Sequence, residues 1–282
     1  MKRLENEAFR TAFLLLWPLV FYELCTEAAA WLCAFCGITD SLFVTGAGAF
    51  LAFPFLAAAY RSKKKSCCGD SRFPGLGTEL EHKRKRKGRI AAGSAWAAFA
   101  GAGACLFLNM VLQGLLSPSG GWESTREVVY RTSPVVRLLV TVVLAPLAEE
   151  LVFRGLFRLE LRQHMRTVSA ALVTSALFGL YHGNLSQGVY AFCLSLCLEL
   201  VCAWSGLLLP AVALHAGANA AAAGFTAFAA FAGQSGACAR FLQLLPDGGS
   251  VLRPQAAIVF AAVGAYIAAV SLYKTKEVFT KI

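Results

Sequence analysis

Residues 42–60 read LFVTGAGAFLAFPFLAAAY, nineteen positions without a charge, and run straight into RSKKK at 61–65. A helix of about 20 apolar residues crosses the ~30 Å hydrocarbon core of a bilayer. The cations that follow mark a cytoplasmic end. Outward from this stretch, apolar runs of similar length recur at 11–35, 91–116, 134–157, 167–183, 186–204, 207–231 and 255–273. None alternates as a barrel strand does, so each must be a helix that satisfies its own backbone groups in lipid. The fold class expected is all-α, a polytopic membrane bundle of about eight transmembrane helices. Composition agrees: with 57% hydrophobic and 15% charged residues the chain has too little polar surface to cover a soluble globule.

The net charge of +10 could point to nucleic acid, and Lys83-Arg84-Lys85-Arg86-Lys87 has the look of a nuclear-localisation run. Its position gives a simpler reason. Segment 61–90 holds 11 of the 26 Lys and Arg residues and lies between two spans, where a cytoplasmic loop gathers positive charge. With the amino terminus inside, 21 of these cations fall inside and only Arg126, Arg131, Arg240 and Arg253 fall outside, Arg137 standing near an outer edge. The expectation is a multi-pass cell-membrane protein with both termini cytoplasmic and no nucleic-acid partner. The start also resembles a signal peptide, with Ala28-Ala29-Ala30 as a cleavage site. Glu5, Glu7 and the apolar sequence continuing to Phe35 favour a retained span.

The expected organisation is two amino-terminal transmembrane helices at 1–60, a basic cytoplasmic loop at 61–90, and a six-helix membrane domain at 91–282. Gly93, Ala97, Gly101 and Ala104 allow close helix packing in the third span. Residues 117–133 read as an external loop. Most of the ten cysteines lie in spans and act as small apolar residues. Cys67-Cys68 falls in the basic loop and lacks the second pair that a zinc site of the CxxC type needs.

Ionisable groups inside spans are costly and ask for a partner or a purpose. They are Glu23 and Glu27 in the first span, Asp40 at the edge of the second, Glu149 and Glu150 in the fourth, His182 in the fifth, Glu199 in the sixth and His215 in the seventh. Asn219 follows His215 by one turn. At ~1.5 Å per residue, Glu149 lies ~15 Å, His182 ~22 Å and His215 ~12 Å from the inner boundary. Three helices thus carry acid and imidazole toward the middle of the bilayer. Glu150 and Arg154 are four apart and can pair on one helix face. Glu149, rotated ~100° from Glu150, is left for chemistry. Phe178 and His182 share the same four-residue spacing, as do His215 and Asn219.

The pattern EExxxR, FxxxH, HxxxN resembles that of the CAAX protease and bacteriocin-processing family, whose Rce1-like and abortive-infection members are intramembrane endopeptidases. The residues that carry the likeness are Glu149, Glu150 and Arg154, Phe178 and His182, and His215 and Asn219. They sit in a protease-like core at about 134–230, and Ser205-Gly206-Leu207-Leu208-Leu209-Pro210 is similar to the family's turn before its HxxxN helix. The resemblance implies an endopeptidase acting on a membrane-embedded or membrane-anchored peptide or protein. Glu149 and His182 would hold and activate a water, His215 and Asn219 would stabilise the oxyanion, and Glu150 and Arg154 would brace the site. A desolvated glutamate suits a general base near neutral pH.

Two histidines and a glutamate, here Glu149, His182 and His215, are also the ligand set of a catalytic Zn2+. The HExxH helix is missing, which favours direct glutamate chemistry. Two other classes share the observations: a non-catalytic scaffold or immunity factor of the same fold, and a proton-coupled transporter. No repeated halves or broken helices speak for the transporter. Glu23, Glu27 and Glu199 stand outside the family pattern.

Overall fold

A computed structural model describes residues 2–67, 83–115, 131–232 and 254–280. Apart from the short turns between helices these are helical, with no strand among them. In chain order the helices are α1 (Lys2–Phe35), α2 (Ser41–Cys67), α3 (Lys83–Leu115), α4 (134–164), α5 (Thr167–Tyr181), α6 (Leu185–Ser205), α7 (Leu209–Ala232) and α8 (Pro254–Thr280).

Five of the described helices contain a stretch long and apolar enough to cross a membrane: Phe13–Phe35, Ser41–Cys67, Lys87–Leu112, Leu185–Ser205 and Ile258–Thr280. α5 is apolar but only 15 residues long. At ~1.5 Å per residue that is ~22 Å, short of the ~30 Å core. α4 carries Arg137, Glu149, Glu150, Arg154, Arg158, Glu160 and Arg162 along its length, which a purely lipid-facing span would not tolerate.

The edges of the basic segment are helical. α2 continues to Cys67 and α3 starts at Lys83, while 68–82 lie outside the described residues. Cys67, read from sequence as a loop thiol, is the buried last residue of α2, packed on Leu159; Cys68 falls outside the described residues, as does 116–130 of the external segment.

The chain divides into two compact units. One combines 1–86 with 127–178, and the other 87–126 with 179–282. In the first, α1 and α2 form a hairpin across Gly37, whose φ of +74° suits a residue without Cβ. A Cβ at Gly48 would strike Thr26 of α1, and one at Gly46 would strike Val140 of α4, so α2 lies close against both. Asp40 starts α2 by accepting the Phe43 N–H at 2.9 Å, and it also accepts the Thr132 hydroxyl at 2.9 Å. That is the partner its place at a span edge called for. At the other end of α2, Lys63 pairs with the buried Glu160 of α4, which also meets His164 at 3.3 Å.

In the second unit the small residues of α3 do what their spacing implied. A Cβ at Gly101 would overlap the Leu214 carbonyl, and one at Gly217 would overlap the Ala98 carbonyl. The backbones of α3 and α7 therefore touch, in the manner of small-residue membrane interfaces. Gly103 and Gly264 give α3 and α8 the same closeness. Gly217→Leu should accordingly destabilise the protein by about 3 kcal/mol, since a rigid backbone cannot yield to the added side chain. Thermal unfolding in detergent reads this directly; an unchanged midpoint would contradict the close packing.

Candidate active site

α4 is where the structure departs most from a plain helix. Its hydrogen bonds switch to the wider i→i−5 pattern over Leu139–Leu144 and again over Leu151–Phe157. The Ala145 N–H reaches Val140 O, and the Arg158 N–H reaches Phe153 O. Pro146 lacks the N–H that would close the ordinary bond to residue 142, which accounts for the first switch. The ordinary turn left between the two, Ala145–Glu150, holds both glutamates. Such wide turns inside helices occur often at functional sites.

Within this turn the two carboxylates meet different surroundings. Glu150 is fully buried and Glu149 half-buried. The Arg154 guanidinium lies 3.1 Å from Glu150 Oε1, both side chains being wholly enclosed. This is the pair that the four-residue spacing predicts. Arg154 also lies over the ring of Phe178 in α5, 4.4 Å from its centroid. A desolvated cation on an aromatic face gains about 2 kcal/mol. Phe178 is held edge-on by Phe153 at 5.0 Å, and Phe153 in turn by Phe157 at 5.3 Å. EExxxR and the first residue of FxxxH are thus joined by contact: carboxylate, guanidinium and ring form one stack in the first unit.

Glu149 lies within electrostatic reach of Tyr22, a residue of α1 that is only 3% exposed. Sequence reasoning did not foresee Tyr22 here. No local spacing links positions so far apart in the chain.

His182 corrects an expectation. It was read as sharing a helix face with Phe178 one turn back, but α5 ends at Tyr181 and His182 stands in the turn before α6. The cause is Gly183, whose φ of +72° ends the helix, followed by Asn184, which caps α6 by accepting the Gln187 N–H at 2.9 Å. His182 is half-buried, its ring edge-on to Tyr181 at 6.1 Å. The fifth apolar run therefore stops two residues earlier than its hydropathy implied.

His215 and Asn219 do lie one turn apart on α7, His215 buried at 4% and Asn219 half-buried. Their helix is set by the turn before it. Gly206, at φ +64°, closes α6 by donating to Cys202 O at 3.0 Å, and the Ser205 hydroxyl accepts the Leu207 N–H at 3.2 Å. Leu214 and Gly217, on either side of His215, are α7 residues in close contact with α3, the Leu214 carbonyl lying against Gly101 and Gly217 against the Ala98 carbonyl. The imidazole is therefore carried on a closely packed part of the unit.

Among the described residues no three His, Cys, Asp or Glu side chains are grouped so as to hold a metal ion.

Every residue of the three motifs falls within one further boundary. Residues 131–221 match the family of Rce1-like type II CAAX prenyl endopeptidases. The Rce1-like stretch covers about a third of the chain, from just before α4 to the middle of α7, and it is the family that the motifs resemble. It supports a protease, and the five apolar helices place that protease in a multi-pass membrane protein. No curated protein and no solved structure matches the chain. Glu199, buried at 4% in α6, lies inside the Rce1-like stretch but outside its motifs, and the geometry assigns it no role.

Proposed function

We propose that this protein is an intramembrane endopeptidase that hydrolyses a peptide bond of a membrane-embedded or membrane-anchored peptide or protein. Glu149 is the general base, drawing a proton from water while His182 orients the attacking oxygen. His215 and Asn219 donate to the tetrahedral oxyanion, where preorganised donors contribute several kcal/mol. As the intermediate collapses, the proton held on Glu149 passes to the leaving amine. The observation that carries this reading is the unequal treatment of two adjacent carboxylates. Glu150 is locked to Arg154 in full burial, whereas Glu149 is half-buried.

α4, α5 and α7 join the five apolar helices as crossings in this reading, for about eight in all, with both termini cytoplasmic. Support comes from the 21 cations against four, and from α2 ending in Lys63, Lys64 and Lys65. A cysteine introduced at the exposed Arg61 is expected to react with impermeant thiol reagents only from the inner side; labelling from outside would reverse the orientation.

The test of the chemistry uses purified protein in vesicles with a fluorescent membrane-anchored peptide. Cleavage should survive exhaustive chelation, with bound zinc well below one per chain. Stoichiometric zinc whose removal abolishes cleavage, lost in parallel from His182→Ala and His215→Ala, would overturn the glutamate mechanism. Absence of cleavage for every anchored peptide, with binding retained, would favour the scaffold reading.

A further inference from the structure

The second unit gathers cations at one end, where α3 begins and α6 and α8 finish. Three contacts fix that meeting. The Arg89 guanidinium donates from Nε and Nη2 to the Val278 carbonyl at 3.1 and 2.9 Å, Phe279 fills the space over Gly93, and Lys276 Nζ lies 5.9 Å from the centre of the Trp204 ring. Lys87, Arg89 and Lys276 are exposed. Lys274 pairs with Glu277 at 2.8 Å and balances its charge, so the surplus positive charge belongs to the other three.

Their depth decides what they meet. Lys87 opens the apolar span Lys87–Leu112, and Lys276 stands four residues before Thr280 closes Ile258–Thr280, ~6 Å inside it. At such a rim a lysine stem lies in apolar surroundings while its ammonium reaches the headgroups. Trp204, beside Lys276, and Tyr273, three residues before it, are the ring types enriched at headgroup depth. An exposed stripe leads up to them. Val259, Tyr266 and Tyr273 recur every seven residues, so they share one face of α8, and they are 60%, 71% and 60% exposed. Positive charge at the head of such a stripe complements a molecule with a phosphate at one end and a hydrocarbon chain behind it; basic pockets between membrane helices take anionic lipid headgroups in this way. Arg89 is already set for the task, because its fork is held on Val278 and little side-chain freedom remains to be lost on binding. A second copy of the chain packed two-fold on this face would set the cations against one another.

We propose that this end of the second unit binds an anionic phospholipid, its phosphate held by Arg89 and Lys276 with Lys87 adding charge, and an acyl chain lying along Tyr273, Tyr266 and Val259. No residue of the three motifs takes part, so the site stands or falls apart from the endopeptidase reading.

The protein in detergent micelles is mixed with equal amounts of phosphatidylglycerol and phosphatidylcholine of the same chain length, and retained lipid is counted from the mass of intact complexes. Phosphatidylglycerol should be retained about tenfold over phosphatidylcholine. In Arg89→Gln/Lys276→Gln the ratio should fall to about twofold or less. Arg61→Gln/Lys65→Gln, which removes two exposed cations from the end of α2 in the first unit, should leave it unchanged. Lys276→Glu alters one exposed position, spares the Arg89–Val278 bonds and should reproduce the fall if the double variant unfolds. Equal retention of the two lipids by the native protein would overturn the proposal. So would an equal fall in both double variants, which would mean diffuse attraction to the whole basic surface. Competition by glycerol 3-phosphate as strong as that by the lipid would overturn it by making a soluble phosphate the ligand. A dimer that dissociates in Lys276→Glu with the lipid ratio unchanged would make a second copy the occupant instead.

Discussion

Glu149→Gln is expected to abolish peptide cleavage while the protein accumulates, folds and binds its substrate as before. The amide keeps the volume of the carboxyl and removes its basicity, so the loss should fall on kcat. A positioned general base contributes about 10²–10⁴-fold, and a reaction that begins by deprotonating water has no other nucleophile to fall back on. Its surroundings predict that the fold will survive. Glu149 is half-buried, where Glu150 is fully enclosed with Arg154, and the amide keeps its shape and hydrogen-bonding capacity. The measurement is single-turnover cleavage alongside the thermal midpoint. A falling midpoint with kcat per folded molecule unchanged would make Glu149 a structural residue.

Glu150→Gln should fail in the opposite way. It leaves Arg154, whose side chain is entirely enclosed, with a neutral partner at 3.1 Å and the face of Phe178 on its other side. Removing one member of a buried ion pair costs about 3–5 kcal/mol, because the remaining charge stays desolvated without compensation. That is a large part of the 5–15 kcal/mol typical of a whole domain. Abundance and thermal midpoint should drop together, activity following them, and Arg154→Gln should behave alike. The double variant Glu150→Gln/Arg154→Gln should be less damaged than the sum of the two, since it strands no charge. Additive losses would show that the two side chains act independently.

These outcomes were partly legible before any coordinates. The Glu150–Arg154 pair follows from a spacing of four, and the capacity of α3 for close packing from Gly101 among alanines, because both depend on the local geometry of one helix; that α7 is the partner does not. What was illegible depends on chain ends and distant segments. Hydropathy carried the fifth run through to 183, yet the Gly183-Asn184 step is a stop and a start signal that an apolarity window cannot see. It is also why His182 stands one residue past the end of the helix it was given. Pro146 hints at the first wide turn of α4, but nothing comparable marks the second. Lys63 with Glu160 and Tyr22 beside Glu149 bring together residues about a hundred or more positions apart, which no periodicity reports. The Rce1-like motifs were readable as a pattern; the structure adds that Phe178 earns its place by stacking on Arg154.

The central claim is that two adjacent glutamates divide chemistry from structure, and one side-by-side measurement addresses it. Glu149→Gln and Glu150→Gln are purified into the same vesicles, and each is scored for yield, thermal midpoint and cleavage per folded molecule of an anchored peptide cut by the native protein. The account predicts a stable, inactive Glu149→Gln beside a destabilised, poorly accumulating Glu150→Gln. An active Glu149→Gln beside a stable, inactive Glu150→Gln would contradict it and assign the base to the other carboxylate.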